Sequence, residues 1–230
     1  MSSLTKKATG GLIWSILNNI GVYGISFIVG IILARLLSPE EFGLIGMITV
    51  FITLLSVFVD SGFKTALIRK TDCNQTDYST VFFFNVAISI FLYLILFFSS
   101  EYISFFYNEP ELNSLLKVLG IVIVIEAFSL IQTTILTKQL NFKLQALISI
   151  IAGALSGIIG ILLAYMGFGV WSLVFYSLIN KLLLSAFYWL FNKWRPSFVF
   201  SFISFREFFA FGSKLMLANF INTLQKNLSY

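Results

Sequence analysis

Long runs of apolar residues recur along this chain, and they decide what it can fold into. Residues 42–59, for example, contain no charged residue. A helix that crosses a bilayer needs about 20 predominantly apolar residues, because its backbone groups must hydrogen-bond internally in lipid. The sequence therefore predicts an all-α integral membrane protein with a six-helix transmembrane bundle and a seventh helix. The predicted spans are residues 11–34, 42–59, 79–100, 115–137, 147–166, 170–191 and 208–230.

The composition argues against a soluble domain and against several kinds of catalytic site. Hydrophobic residues make up 58% of the 230 residues and charged residues 11%, whereas soluble domains are near half apolar and a quarter charged. Histidine is absent, and a single cysteine, Cys73, allows neither an intrachain disulfide nor a cysteine metal site. No P-loop, H-E-x-x-H or C-x-x-C motif occurs. We therefore predict no enzyme activity, no cofactor and no metal.

Basic residues alternate between the predicted loops in a way that predicts the orientation. Two of them, Arg35 and Lys117, fall on one side of the membrane. Ten fall on the other: Lys6, Lys7, Lys64, Arg69, Lys70, Lys138, Lys143, Lys193, Arg195 and Arg206. Lys and Arg concentrate in cytoplasmic loops, so the N-terminus is predicted to be cytoplasmic. Topology thus accounts for the net charge of +5, and nucleic acid is not a predicted partner.

Two charged residues fall inside predicted spans at one depth. Glu126 lies 11 residues into the fourth span, and Lys181 lies 11 residues into the sixth. At 1.5 Å per residue, both are about 16 Å below the outer end. Charges there are costly and ordinarily pair or face a wet cavity. An ion pair that only ties two helices together would explain them; alternatively, Glu126 is an ion-coupling site and Lys181 its competitor.

Uncharged polar residues also interrupt the spans. Asn18, Asn19, Asn85 and Gln132 fall in the inner halves of their spans, where each suits an interhelical hydrogen bond and the group suits a partly hydrated cavity. Asp60 ends the second span, either as a cap of the turn at Gly62 or as a second ion-coupling carboxylate.

Small residues mark one face of the fifth span. Gly153, Gly157 and Gly160 form a stripe that allows close helix contact. We predict that this stripe packs within the bundle rather than in a dimer.

The seventh helix has the most polar face. Asn219, Asn222 and Lys226 are spaced i, i+3 and i+7, which places them on one side of a helix. Lys181, Lys214 and Lys226 are candidates to meet an anionic group of a substrate, although Lys214 could equally snorkel to the inner surface. Asn18, Arg35 and Asn222 complete the candidate substrate-binding set.

Two segments resemble a known family. Residues 34–47 read A-R-x-L-x-P-x-x-F-G-x-x-G-M, and residues 62–70 read G-F-K-T-A-L-I-R-K. Together they resemble the first hairpin of the polysaccharide flippases, the O-antigen, capsule and exopolysaccharide exporters of the multidrug/oligosaccharidyl-lipid/polysaccharide superfamily. Phe205-Arg206-Glu207 and Phe211-Gly212 are similar to the segment that follows the family's basic linker.

The resemblance implies an architecture and a function. It implies a first lobe at residues 1–192, a cytoplasmic interfacial linker at 193–207, and the first helix of a truncated second lobe at 208–230. It also implies alternating-access transport of undecaprenyl-pyrophosphate glycans across the bacterial inner membrane. The implied partners are the lipid-linked oligosaccharide, the bilayer, and the glycan polymerase and glycosyltransferases of the same pathway.

Three alternatives to that function remain. The chain could be a half-lobe assembly module that does not transport on its own. It could belong to an exporter of another substrate. A membrane-embedded transferase or polymerase would need a large outer loop with Arg or His, and none is predicted.

Overall fold

The computed structural model describes residues 3–60 and 62–228, with side chains at 11, 13–59, 62–215, 217, 218 and 221. The described residues contain helices and no strand. The helices are α1 (Ser3–Leu36), α2 (Pro39–Asp60), α3 (Phe63–Arg69), α4 (Gln75–Tyr107), α5 (Glu111–Leu119), α6 (Ile121–Lys138), α7 (Phe142–Tyr165), α8 (Val170–Phe191) and α9 (Phe202–Leu228).

Six stretches of the described chain are long and apolar enough to cross a membrane. They are Ile13–Leu36, Pro39–Arg69, Gln75–Tyr107, Glu111–Lys138, Phe142–Tyr165 and Val170–Phe191. They correspond to the six complete spans expected from the sequence, and α9 follows them as a seventh helix. The all-α membrane fold is thereby confirmed.

Local sequence explains where two of the spans begin. At α2, the Ser38 amide donates to Glu41 Oε2 at 2.7 Å and the Glu41 amide donates to Ser38 Oγ at 3.3 Å, a capping box with Pro39 as the first helical residue. At α4, the Asp77 amide donates to Asn74 Oδ1 at 2.8 Å and the Asn74 amide donates to Asp77 Oδ2 at 3.2 Å. Each exchange satisfies backbone donors that a helix start otherwise leaves open.

The fourth predicted span is interrupted near its start. A run from residue 115 was expected, whereas α5 begins at Glu111 and gives way to α6 at Gly120. A Cβ on Gly120 would lie 2.9 Å from Leu96 Cδ2 and 3.2 Å from Tyr93 Cδ2. The glycine therefore lets α4 pack closely against this junction.

The chain forms two compact units, the first from residues 1–45 and 135–193. In this unit, α7 packs against both α1 and α8. A Cβ on Gly157 would lie 2.5 Å from Val29 Cγ2, and one on Gly160 would lie 2.8 Å from Tyr176 Cβ. The predicted packing of the small-residue stripe within the bundle is confirmed, because its glycines face helices of the same unit.

The second unit comprises residues 46–134 and 194–230. The segment before α9 runs along α4, where the Ser197 amide donates to Ser79 Oγ and the Ser201 amide donates to Thr80 Oγ1, both at 3.0 Å. Helix α9 starts at Phe202 rather than at residue 208, because Ser201 Oγ accepts from the Ser204 amide at 3.3 Å and caps an earlier turn. The division of the chain at residues 192 and 207 stays a prediction.

Candidate intramembrane polar cavity

A cavity of about 300 Å³ lies among the spans of the first unit. Its polar lining comes from three helices: α1 supplies Asn18, Asn19, Tyr23 and Ser26, α7 supplies Ser149, and α8 supplies Tyr176, Asn180 and Lys181. Among the lining residues that the structure describes, Lys181 carries the charge. We call this space the polar cavity.

Helical periodicity places these side chains together. Asn19 and Tyr23 are four residues apart on α1, and Tyr176 and Asn180 have the same spacing on α8. Residues four apart lie on one face of a helix, so each helix presents a single polar stripe to the cavity. Gly153 of α7 also lines the cavity without a side chain; a Cβ there would meet Ile25 Cγ2 only at 3.7 Å.

Hydrogen bonds fix part of the lining. Asn180 Nδ2 donates to Ser156 Oγ at 3.1 Å, and Ser156 Oγ donates to the Gly153 carbonyl at 3.1 Å. Ser156 is fully buried, so this chain of bonds holds the Asn180 amide in one orientation. Asn18 Oδ1 is buried with no hydrogen-bond partner among the described atoms. A buried acceptor in that state favours a bound donor, because leaving it unsatisfied is unfavourable.

The structure brings together two of the residues predicted to bind substrate, Asn18 and Lys181. Arg35 is exposed in the last turn of α1, about 25 Å further along that helix. Lys214 is exposed on α9, in the second unit. The side chains of Asp60, Asn222 and Lys226 lie outside the described residues.

Glu126 belongs to the second unit and has a polar partner there. Ser56 Oγ on α2 donates to Glu126 Oε2 at 3.0 Å. This bond joins α2 to α6 at a carboxylate within the spans. The Glu126–Lys181 ion pair and the ion-coupling role of Glu126 stay predictions.

The polar residues expected to bond between helices behave differently. Gln132 Nε2 donates at 3.2 Å to the carbonyl of Trp194, in the segment that follows α8. Asn85 has no exposed surface, and neither its amide oxygen nor its amide nitrogen has a hydrogen-bond partner in the described part of the chain. The expected interhelical bond of Asn85 is therefore not formed there.

Several cavity residues were not predicted from the sequence. Tyr23, Tyr176, Asn180, Ser26 and Ser149 all line it. The four-residue spacing of polar residues within runs that are otherwise apolar could have identified them. Tyrosine hides this signal, because its ring suits lipid and protein contacts as well as a wet surface.

An ionic cluster around Lys70, which directly follows the candidate span Pro39–Arg69, lies at the start of α9. Lys70 Nζ is 3.1 Å from Asp77 Oδ2 and 2.9 Å from Glu207 Oε2, which ties the end of α3 to α4 and α9. The hydrogen bond with Glu207 raises the pKa of Lys70 above its usual 10.5; burial opposes this shift, and Asp77 adds to it. The cluster gives a structural role to Glu207 of the Phe205-Arg206-Glu207 segment.

Membrane-spanning helices with polar stripes around an internal cavity define a multi-pass membrane protein with a solute-sized polar site. The chain belongs to the polysaccharide biosynthesis protein family, whose model matches residues 32–230. This membership confirms the resemblance predicted from residues 34–70.

The relatives act in the synthesis of several polysaccharides. The chain is 31% identical over 196 residues to a succinoglycan biosynthesis transport protein of Rhizobium meliloti, covering 85% of this chain and 40% of the relative. It is 30% identical to a teichuronic acid biosynthesis protein of Bacillus subtilis, covering 99% and 48%. It is 25% identical to a lipopolysaccharide biosynthesis protein of Escherichia coli, covering 99% and 46%. The chain thus spans about half the length of these relatives, and no solved structure matches it significantly.

Proposed function

We propose that the protein takes part in moving a lipid-linked oligosaccharide, an undecaprenyl-pyrophosphate glycan, across the bacterial inner membrane for surface polysaccharide biosynthesis. The observation that carries the proposal is the polar cavity with Lys181 within the spans of a chain from this family. An ammonium group in a low-dielectric setting attracts a pyrophosphate strongly. Asn, Ser and Tyr side chains supply both donors and acceptors for sugar hydroxyls.

The names of the relatives support a glycan as the cargo. They refer to succinoglycan, teichuronic acid and lipopolysaccharide, which are different polymers. All three polymers contain sugars that are rich in hydroxyl groups. A cavity lining that is uncharged and hydrogen-bonding, except for one cation, suits such a substrate. The cavity residues that the sequence did not predict, such as Tyr176 and Asn180, are candidates to set which glycan is accepted.

Alternating access is the mechanism that fits such a site. A substrate with a large polar head crosses only if its site opens to one side of the membrane at a time, since an open pore would leak ions. The distribution of basic residues supports a cytoplasmic N-terminus, and hence loading from the cytoplasmic side. Transport is proposed for the assembled transporter, to which this chain contributes the cavity helices α1, α7 and α8. The glycan polymerase and the glycosyltransferases of the pathway are the proposed partners.

Complementation tests the proposal. The complete natural gene is expressed in a strain that lacks its own flippase, and surface polysaccharide is measured alongside the amount of protein in the membrane. Restored polysaccharide is expected, and Lys181→Ala should reduce it roughly tenfold or more because a charged hydrogen-bonding partner is lost. Lys193→Ala is the matched control, since Lys193 is exposed beyond the end of α8. If the unaltered gene restores no polysaccharide at a normal membrane level, the glycan assignment fails.

A further inference from the structure

The first turns of α9 enclose a groove on the second unit that is separate from the polar cavity. It has a volume of about 440 Å³ and is lined by Phe202, Ile203, Phe205, Arg206 and Phe209. We call it the aromatic groove. Four of its five lining residues are large and apolar, and the fifth is a cation.

The residues in and beside the aromatic groove expose a large apolar surface. Phe202 is 78% exposed and Ile203 84%, and the neighbouring Phe198 is 97% exposed. Exposed apolar side chains that cluster in this way mark a surface that something apolar covers. In a membrane protein the lipid itself is available for that purpose.

Contacts with α4 place the aromatic groove at the level of the bilayer. The ring of Phe205 lies 4.8 Å from that of Phe84, and the ring of Phe198 stacks on Phe83 at 5.8 Å. Phe83 is about 12 Å along α4 from its first residue, and α4 is one of the candidate spans. The segment before α9 therefore lies on the flank of a candidate membrane helix, near the end at which that helix begins.

The charge of the aromatic groove is positive. Arg206 lines it, and no acidic residue does so among the residues described. The adjacent acid, Glu207, is engaged elsewhere, with its carboxylate 2.9 Å from Lys70 Nζ. Glu207 is thus held in an ion pair, whereas Arg206 lies beside exposed phenyl rings.

We propose that the aromatic groove binds an anionic phospholipid of the bilayer. The Arg206 guanidinium takes the headgroup phosphate, for which its planar donor fork is suited, and the phenyl rings with Ile203 contact the glycerol and the upper acyl chains. A juxtamembrane cation attracts anionic lipids in this way. The site goes beyond glycan translocation and does not depend on it.

Direct lipid binding tests the proposal. The complete purified protein, in a neutral detergent, is titrated with fluorescently labelled phosphatidylglycerol and, separately, with labelled phosphatidylcholine. Phosphatidylglycerol should bind more tightly, and Arg206→Gln should reduce that preference about fivefold, the effect of one basic residue near a membrane surface. Arg206→Lys should retain most of the preference. Arg195→Gln is the matched control, because Arg195 is exposed in the same segment and does not line the groove.

Further outcomes distinguish a lipid site from general surface charge and from a free-anion site. An equal loss in Arg195→Gln would overturn the proposal in favour of general surface charge, and no loss in Arg206→Gln would overturn it by showing that Arg206 does not bind the headgroup. Displacement of the lipid by inorganic phosphate, but not by chloride of equal ionic strength, would replace it with a free-anion site. Ile203→Ser should weaken both lipids about equally, since it removes apolar contact alone; unchanged affinity for both would overturn the placement of the acyl chains in the groove. Polysaccharide restoration plays no part in these measurements, so failure here leaves the proposed function standing.

Discussion

Lys70 Nζ lies 2.9 Å from Glu207 Oε2, although 137 positions separate the two residues in the sequence. Close by, a Cβ on Gly62 would lie 2.8 Å from the Gly212 carbonyl oxygen, and Gly62 has a φ of 68° that favours glycine. Two of the three segments that carry the sequence resemblance, residues 62–70 and 205–212, therefore meet in the fold. Their residues pack against one another rather than lining the polar cavity.

The two ion pairs of Lys70 should differ in what their loss does to stability. Asp77 is 1% exposed at its side chain and Glu207 is 55% exposed. Glu207→Ala should therefore destabilise by about 1 kcal/mol or less, as exposed pairs do. Lys70→Ala leaves a buried carboxylate without its cation and should cost more, about 1–3 kcal/mol. Thermal unfolding in detergent checks the order, and a Glu207→Ala effect as large as that of Lys70→Ala would contradict it.

The raised pKa of Lys70 gives a pH dependence with a definite sign. A lysine whose pKa is higher in the folded state contributes stability that is fully present below its unfolded value of 10.5 and is lost as the pH rises through the raised value. The stability difference between the wild type and Lys70→Gln should therefore be constant from neutral pH to about pH 10 and shrink above it. If the stability difference between the two proteins already shrinks between neutral pH and pH 9, the hydrogen bond between Lys70 and Glu207 is not the main source of that difference.

Close packing between α1 and α7 predicts a sensitive glycine. A Cβ at Gly157 would meet Val29 Cγ2 at 2.5 Å, so Gly157→Ala forces the helices apart and should cost about 1–3 kcal/mol. Gly24, on α1 of the same unit, has nothing within 4 Å of an added Cβ. Gly24→Ala should be neutral or slightly stabilising, because alanine is the better helix former. The comparison of the two melting temperatures tests the packing, and equal values would refute it.

The polar cavity predicts a response to added negative charge. Asn18→Asp barely changes shape, but it places a carboxylate in a cavity proposed to take a pyrophosphate. Polysaccharide export should fall roughly tenfold or more, and further than in Asn18→Leu, which removes only hydrogen bonding. Asn108→Asp is the control, since Asn108 is exposed in the turn after α4 and its φ of 57° suits aspartate. Export that tolerates Asn18→Asp as well as it tolerates Asn18→Leu would remove the anionic group from this cavity.

Much of the architecture could be predicted from residue patterns. A bilayer requires long apolar helices, and the charged residues in the loops between them are easy to recognise in the sequence. The break at Gly120 did not follow, since that glycine reflects the approach of Leu96, far away in sequence. The early start of α9 was missed because the capping serine, Ser201, stands in a run that reads as an interfacial segment.

Part of the polar cavity was accessible to sequence reasoning for a similar reason. An asparagine or a lysine inside a span is conspicuous, and Asn18 and Lys181 were found that way. Whether a tyrosine such as Tyr176 faces lipid or a cavity depends on how its helix is rotated, and the residue type does not record that rotation because tyrosine suits both surroundings.

The ion pairs of Lys70 also set an order of events during synthesis. Asp77 follows Lys70 within seven residues, so their pair can form as soon as both have left the ribosome. Glu207 emerges 137 residues after Lys70, roughly 7–27 seconds later at 5–20 residues per second. Glu207 is therefore the last of the three to be synthesised, and its pair with Lys70 joins α9 to helices that were made well before it.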